Sequence, residues 1–241
     1  MKGTVGVLRA GLGQIMRDGV LLLLLLAPFL MGAALFLSLP LADSLLQERM
    51  GMPLSPWFLF SDMFLVSMAP IMIAMLAAFV LLEERDEGLG LYHLITPAGR
   101  HTYLTARVGV PMVWALFSTL VVVWRFALSL SDHRIILLAS IIATLQATMS
   151  CMLLAALANN KVEGLALAKM TNLLILGLPV SWFVQSPWKY TAGFLPSFWL
   201  GELGQRAGGN GSALGTAVFF GILSAGLWIL LAYRLFLRRS F

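Results

Sequence analysis

The chain has 241 residues, 60% of them hydrophobic and 11% charged, with a mean hydropathy of +0.91. Soluble domains are about 45–50% apolar and about 25% charged, so this composition excludes a soluble globular domain and marks a multi-spanning membrane protein. The net charge of +5 then reports orientation in a bilayer, not a nucleic-acid surface, and the single cysteine, Cys151, excludes an internal disulfide and a cysteine-based metal site.

Residues 1–18 carry Lys2, Arg9 and Arg17 among apolar positions such as Val5, Leu8, Leu12 and Ile15. This mixture predicts an interfacial helix lying flat on the bilayer, weakened by Gly11 and Gly13. Gly19–Ala42 is uncharged and long enough to cross about 30 Å of hydrocarbon. It is read as a retained first span, being long and distant from the start for a signal segment. A polar connection from Asp43 to Asp62 holds Arg49, Pro53 and Pro56. Met63–Leu82 is the second span, and Pro70 inside it predicts a kink.

Charges then cluster in Glu83–Arg107. Leu91, Leu94 and Ile95 recur at helical spacing, so a short helix there has one apolar face. Thr96-Pro97 ends it, because the residue before proline is pushed out of the α region. A charged amphipathic helix between two spans fits a grip for another protein; a solvated surface loop fits the same pattern. The third span is Val108–Ser129, with Arg125 snorkelling towards headgroups.

Ile135–Ala158 is the fourth span. Ala139, Ala143, Ala147, Cys151 and Ala155 follow each other at i, i+4, beside Ser140, Thr144 and Thr148. Small residues on one face let helix backbones approach closely in lipid, so this row packs against its own bundle or forms a dimer contact. After the link Asn159–Gly164 comes the fifth span, Leu165–Val184, with Pro179 near its end. Gln146 and Asn172, both inside spans, are candidates for a substrate path, although such residues commonly hydrogen-bond between helices. Tyr190–Glu202 is aromatic, apolar and too short to cross, which predicts an outer or re-entrant segment. Ala213–Tyr233 is the sixth span, followed by Arg234, Arg238 and Arg239.

The expected fold is therefore an all-α integral membrane domain of six transmembrane helices. With six spans both termini share a side. Arg49, Arg125, Arg134, Lys189 and Arg206 fall on one side and the other eleven of the 16 basic residues on the terminal side. The positive-inside bias places both termini and residues 83–107 in the cytoplasm, and Trp57, Trp124 and Trp188 in an outer aromatic belt.

Catalytic motifs are absent from the sequence. There is no phosphate loop, no Gly-x-Ser-x-Gly and no His-Glu-x-x-His. His93, His101 and His133 fall on two sides and cannot converge on one metal. Glu83-Glu84 lacks the partners of a glutamate-based intramembrane protease, since Gly88 stands where such an enzyme has Arg and no histidine lies mid-span. The catalytic and metal-site expectation is therefore none.

Four stretches together resemble the small permease subunits of ABC-2 type exporters, the type V fold. RDGVLLLLLLAPFL (Arg17–Leu30) is similar to the family's interfacial helix running into span 1. Glu84–Ala106 is similar to its most telling segment, with Glu84, Glu87, Gly88, Thr96, Pro97, Tyr103 and Arg107 in the matching places and Leu89 where many members carry Thr. Asn160–Lys169 with Leu178-Pro179 resembles the link into span 5. Phe194–Glu202 (FLPSFWLGE) resembles the family's short outer helices. Length and architecture are most similar to drug-export permeases of the fluoroquinolone type and to peptide-antibiotic exporters.

The resemblance implies a non-catalytic transmembrane subunit that exports a drug-like, lipid-like or peptide substrate. It implies two copies of a partner ATPase carrying ATP and Mg, a second permease, identical or paralogous, and no cofactor on this chain. Residues 83–107 would be a cytoplasmic coupling segment, with Glu84, Glu87, Gly88, Leu91, Tyr92, Leu94, Ile95, Thr96 and Pro97 at the ATPase interface. The alternative is a membrane-embedded regulatory or assembly protein that uses the same helix only for docking.

Overall fold

Asp18 stands in extended backbone, and its carboxylate accepts the N–H groups of Val20 and Leu21, which starts helix α1 at Gly19. The computed structural model describes residue 13 and residues 16–88, 105–207 and 211–240, with side chains left out at 105–106, 211–212 and 237–240. Most of the expected interfacial helix (1–12, 14–15) and residues 89–104 of the expected cytoplasmic segment lie outside the described residues.

α1 (Gly19–Met50) runs past Ala42. The Oδ1 of Asp43 accepts the N–H groups of Leu54 and Ser55, so that charge secures the link to the next helix instead of ending the first. Gly51, at φ +65°, terminates α1, a backbone setting that glycine adopts without strain. A turn at Ser55–Trp57 leads into α2 (Phe58–Asp86), which therefore starts before Met63 and ends after Leu82.

A π-helical turn (Thr105–Gly109) opens α3 (Val110–Phe126). α3 stops short of Ser129 because residues 128–130 turn their N–H groups onto Asp62. α4 (His133–Leu157) follows, capped by Asp132. The fifth span is interrupted: α5 (Lys161–Thr171), a 3-10 stretch (Asn172–Leu176) and α6 (Gly177–Phe183). Residues Pro187–Phe194 form another 3-10 stretch before α7 (Pro196–Gln205), which is buried and too short to cross. α8 (Gly211–Ser240) is the last helix.

The interruption in span five has a local cause. A Cβ on Gly177 would lie 2.6 Å from the backbone nitrogen of Phe198, so α7 packs directly on the α6 backbone. Ser197 Oγ donates to Leu174 O at 2.5 Å and Gln205 Nε2 to Ser181 O at 2.8 Å. The Leu174 carbonyl in the break and the Ser181 carbonyl in the last turn of α6 are thus both satisfied from α7, as a membrane interior requires.

Among the described residues, six helical segments are long and apolar enough to cross a membrane. α2 is the axis: 83% of its most apolar stretch is buried, against 17% for the first span and 22% for the last. One core cluster joins Leu76–Leu82 of α2 to Leu21, Val108, Met112, Leu154 and Phe236. A second, at the opposite end, joins Met63 and Val66 to Val123, Ile135, Ile142, Leu178 and Leu200. Asp18 and Phe236 therefore meet the same end of α2, as an even number of crossings requires. Trp57, Trp124 and Trp188 are exposed near the other end, and the Arg125 guanidinium rests 5.8 Å from the Phe36 ring centroid and 5.7 Å from that of Phe126.

Candidate functional site

The last turn of α2 reads Glu83-Glu84-Arg85-Asp86. Successive helical residues step by about 100° around the axis, so four in a row face four directions. Glu83 Oε2 takes the Lys161 ammonium at 3.0 Å. Glu84 turns inward to a buried ion pair with Arg107, the residue in the turn before α3. Arg85 Nη1 donates to Ala158 O, the C-cap of α4, at 2.8 Å. Asp86 Oδ2 accepts the N–H of Lys161, the first residue of α5, at 2.9 Å.

Lys161 adds a further tie. Its ammonium lies 2.6 Å from Asp18 Oδ2, the N-cap of α1. This hydrogen bond, together with the N–H groups of Val20 and Leu21, holds the Asp18 carboxyl below the usual carboxylate range against the opposing effect of burial. One turn of α2 is thus bonded to the start of α3, the end of α4 and the start of α5, and through Lys161 to the start of α1. The helix ends just beyond: the N–H of Glu87 bonds Glu83 O, that of Gly88 bonds Arg85 O, and Gly88 takes φ +70°. The chain leaves there for residues 89–104.

The expected interface residues separate. Glu84 is expected on the partner-facing turn but is only 2% exposed, because a carboxylate at this depth is satisfied by Arg107 and not by solvent. Glu87 and Gly88 are exposed. Leu91, Tyr92, Leu94, Ile95, Thr96 and Pro97 lie outside the described residues. Ala139, Ala143, Ala147, Cys151 and Ala155 are all buried within the two core clusters, so this row is covered by the chain's own helices and offers no free face to a second subunit. Gln146 is fully buried, and neither of its amide atoms has a hydrogen-bond partner among the described residues. Asn172 is half-buried at the start of the 3-10 break, with Oδ1 likewise unpartnered.

Three residues carry structure that the sequence reading did not assign. Lys161 reads as one charge in a polar link, and only its position directly after two asparagines hints at a junction. Asp62 reads as the end of a loop. It is buried, and its carboxylate accepts the N–H groups of Leu128, Ser129 and Leu130 at 2.7–2.9 Å. Glu202, buried in α7, pairs with both Lys189 and Arg206, and Arg206 also reaches Ala213 O and Thr216 Oγ1 at 3.1 Å. That knot joins the 187–194 stretch, α7 and the start of α8.

Residues 11–233 match the family described as Fluoroquinolones export permease protein Rv2686c-like. The chain belongs to that family of export permeases. It is 32% identical over 189 residues to the Fluoroquinolones export permease proteins MT2760 and Rv2686c of Mycobacterium tuberculosis, strains CDC 1551 / Oshkosh and H37Rv. The match covers 76% of this chain and 74% of each relative. The six spans are accordingly those of a multi-pass membrane permease. The bonded turn of α2 lies at the end of the bundle where the first span begins.

Proposed function

We propose that this permease is the transmembrane subunit of an ATP-binding cassette exporter and moves a planar drug of the fluoroquinolone class outward. The relatives' names supply the substrate class. The observation that carries the mechanism is the last turn of α2, four consecutive charged residues tied to three other spans, with the exposed residues Glu87 and Gly88 directly beyond it. Displacement applied to such a segment reaches several helices at once, since packed helices move as bodies.

In this reading residues 83–107 form the coupling segment. Glu87 supplies its exposed acid, Gly88 the turn, and Leu91, Tyr92, Leu94, Ile95, Thr96 and Pro97 the surface that enters the ATPase. Two ATPase copies hold ATP and Mg, two permeases stand side by side, and this chain is non-catalytic with no cofactor of its own. The whole chain is one permease domain, with residues 1–18 as an interfacial helix and 190–202 as the outer segment. Both termini face the cytoplasm of a bacterial inner membrane, as the basic-residue asymmetry supports. Gln146 and Asn172, whose polar atoms lack partners in this conformation, are the candidates for groups that meet substrate when the spans shift.

Co-purification in mild detergent with the ATP-binding cassette ATPase encoded beside the permease tests the assembly. The wild type is expected to retain the ATPase, and Glu87→Lys to weaken the complex by about tenfold through lost charge complementarity. A folded wild-type permease that holds no ATPase refutes the reading.

A further inference from the structure

The two ends of the polar segment meet inside the protein. Glu84, in the last turn of α2, and Arg107, in the turn before α3, form an ion pair with side chains only 3% and 7% exposed. The neighbours of Glu84 do a different job. Glu83, Arg85 and Asp86 all bind the junction between α4 and α5. Glu84 instead reaches the other end of the segment.

A buried ion pair is a poor way to gain stability. Removing both charges from water is costly, and an apolar pair of similar volume is commonly as stable or more so. Its best-attested use is to fix the register of two elements. The pair is also well placed for that use. Leu82, two residues before Glu84, shares a core cluster with Val108 and Met112, so the helix ends are packed as well as paired.

We propose that Glu84 and Arg107 form a clasp that holds the ends of the coupling segment together, so that a push on the segment moves α2 and α3 as one body. Glu84 is then a positioning residue and not a docking acid. The inference rests on the assignment of residues 83–107 as the coupling segment. Without the clasp, a push would splay the two ends and be absorbed before reaching the spans.

Two measurements test it. Hydrogen exchange on the purified permease, without ATPase, reads the clasp itself. Glu84→Gln and Arg107→Gln should each lose protection in Leu82–Gly88 and Thr105–Val110, and the charge-swapped Glu84→Arg/Arg107→Glu should recover it. In proteoliposomes with the ATPase, the single variants should bind ATPase and hydrolyse ATP as the wild type does, yet transport at least about tenfold less norfloxacin per ATP, within the usual range of coupling strengths. The swap should restore most of that ratio, which a merely structural loss would not predict. If Glu84→Gln does not fold, Arg107→Lys replaces it, keeping the charge but losing the fork geometry, and should show partial uncoupling. Unchanged exchange, or an unchanged transport ratio in a folded single variant, overturns the proposal. Failure of the wild type to bind ATPase overturns the coupling assignment and the transmission role with it, while the exchange data still judge the clasp.

Discussion

Asp62 lies buried where α2 begins, and it accepts the N–H groups of three successive residues after α3. Those donors have no helix of their own, and the carboxylate that meets them is buried. Replacing Asp62 by Ala should leave them unsatisfied and lower stability by about 2 kcal/mol or more, since hydrogen bonds to charged groups contribute about 1.5–3 kcal/mol each. Asp62→Asn keeps one acceptor oxygen and should lose less. Thermal unfolding in detergent would rank wild type above Asn and Asn above Ala; equal melting of all three would remove Asp62 from this role. Asp18 makes a related point about charge. Its carboxyl is held low by Lys161 and the helix N-terminus, so its contribution is fully present above its unfolded value, about pH 4, and is lost as pH falls through the depressed folded value. The melting difference between wild type and Asp18→Ala should therefore be constant from neutral pH to about pH 5 and shrink below about pH 4. A difference independent of pH would exclude the ionised carboxylate as its source.

At the scale of elements, α6 and α7 meet backbone against backbone. A Cβ at Gly177 would press on the Phe198 backbone nitrogen, which cannot rotate away. One at Gly201 would strike Ser181 Oγ and come 3.1 Å from Leu178 O. Gly177→Ala and Gly201→Ala should each cost about 1–3 kcal/mol through overpacking. Ser181→Ala should rescue Gly201→Ala in part, whereas Ser197→Ala should not rescue Gly177→Ala, because the backbone clash stays. Melting temperatures of the two double variants check this, and equal rescue in both would mean that α7 moves freely against α6.

How far the elements were legible follows from what sets their ends. Uncharged runs reveal the six spans because hydrocarbon excludes charge. They do not reveal helix ends, because a helix continues through Asp43 or Glu83 once it leaves hydrocarbon. The run Glu83–Asp86 was legible as a charged cluster but not as a bonded hub. A linear sequence does not say which neighbour each successive side chain faces, so Glu84 reads as a surface acid and is in fact interior. The small-residue row of α4 was legible as a packing face, while its partners, within the chain, required the fold.

At the scale of the whole molecule, a permease must turn an event outside the bilayer into motion of its spans. α2 is the most enclosed span and its last turn bonds to three others, so it is the natural route for that motion. α1 and α8 are mostly exposed, and apolar substitutions on their outward faces should leave the fold intact. Leu37→Met, at a side chain 64% exposed on α1, should change the stability of the solubilised protomer by less than about 0.5 kcal/mol, because an apolar side chain still meets apolar surroundings.

The most direct measurement is ATP-dependent accumulation of norfloxacin, followed by its fluorescence, in inside-out vesicles containing the permease and its ATPase. The account predicts accumulation that requires both proteins and ATP, and that Glu87→Lys lowers by about tenfold without unfolding the permease. Accumulation by the permease alone, or none with both proteins assembled and hydrolysing ATP across a panel of fluoroquinolones, would contradict it.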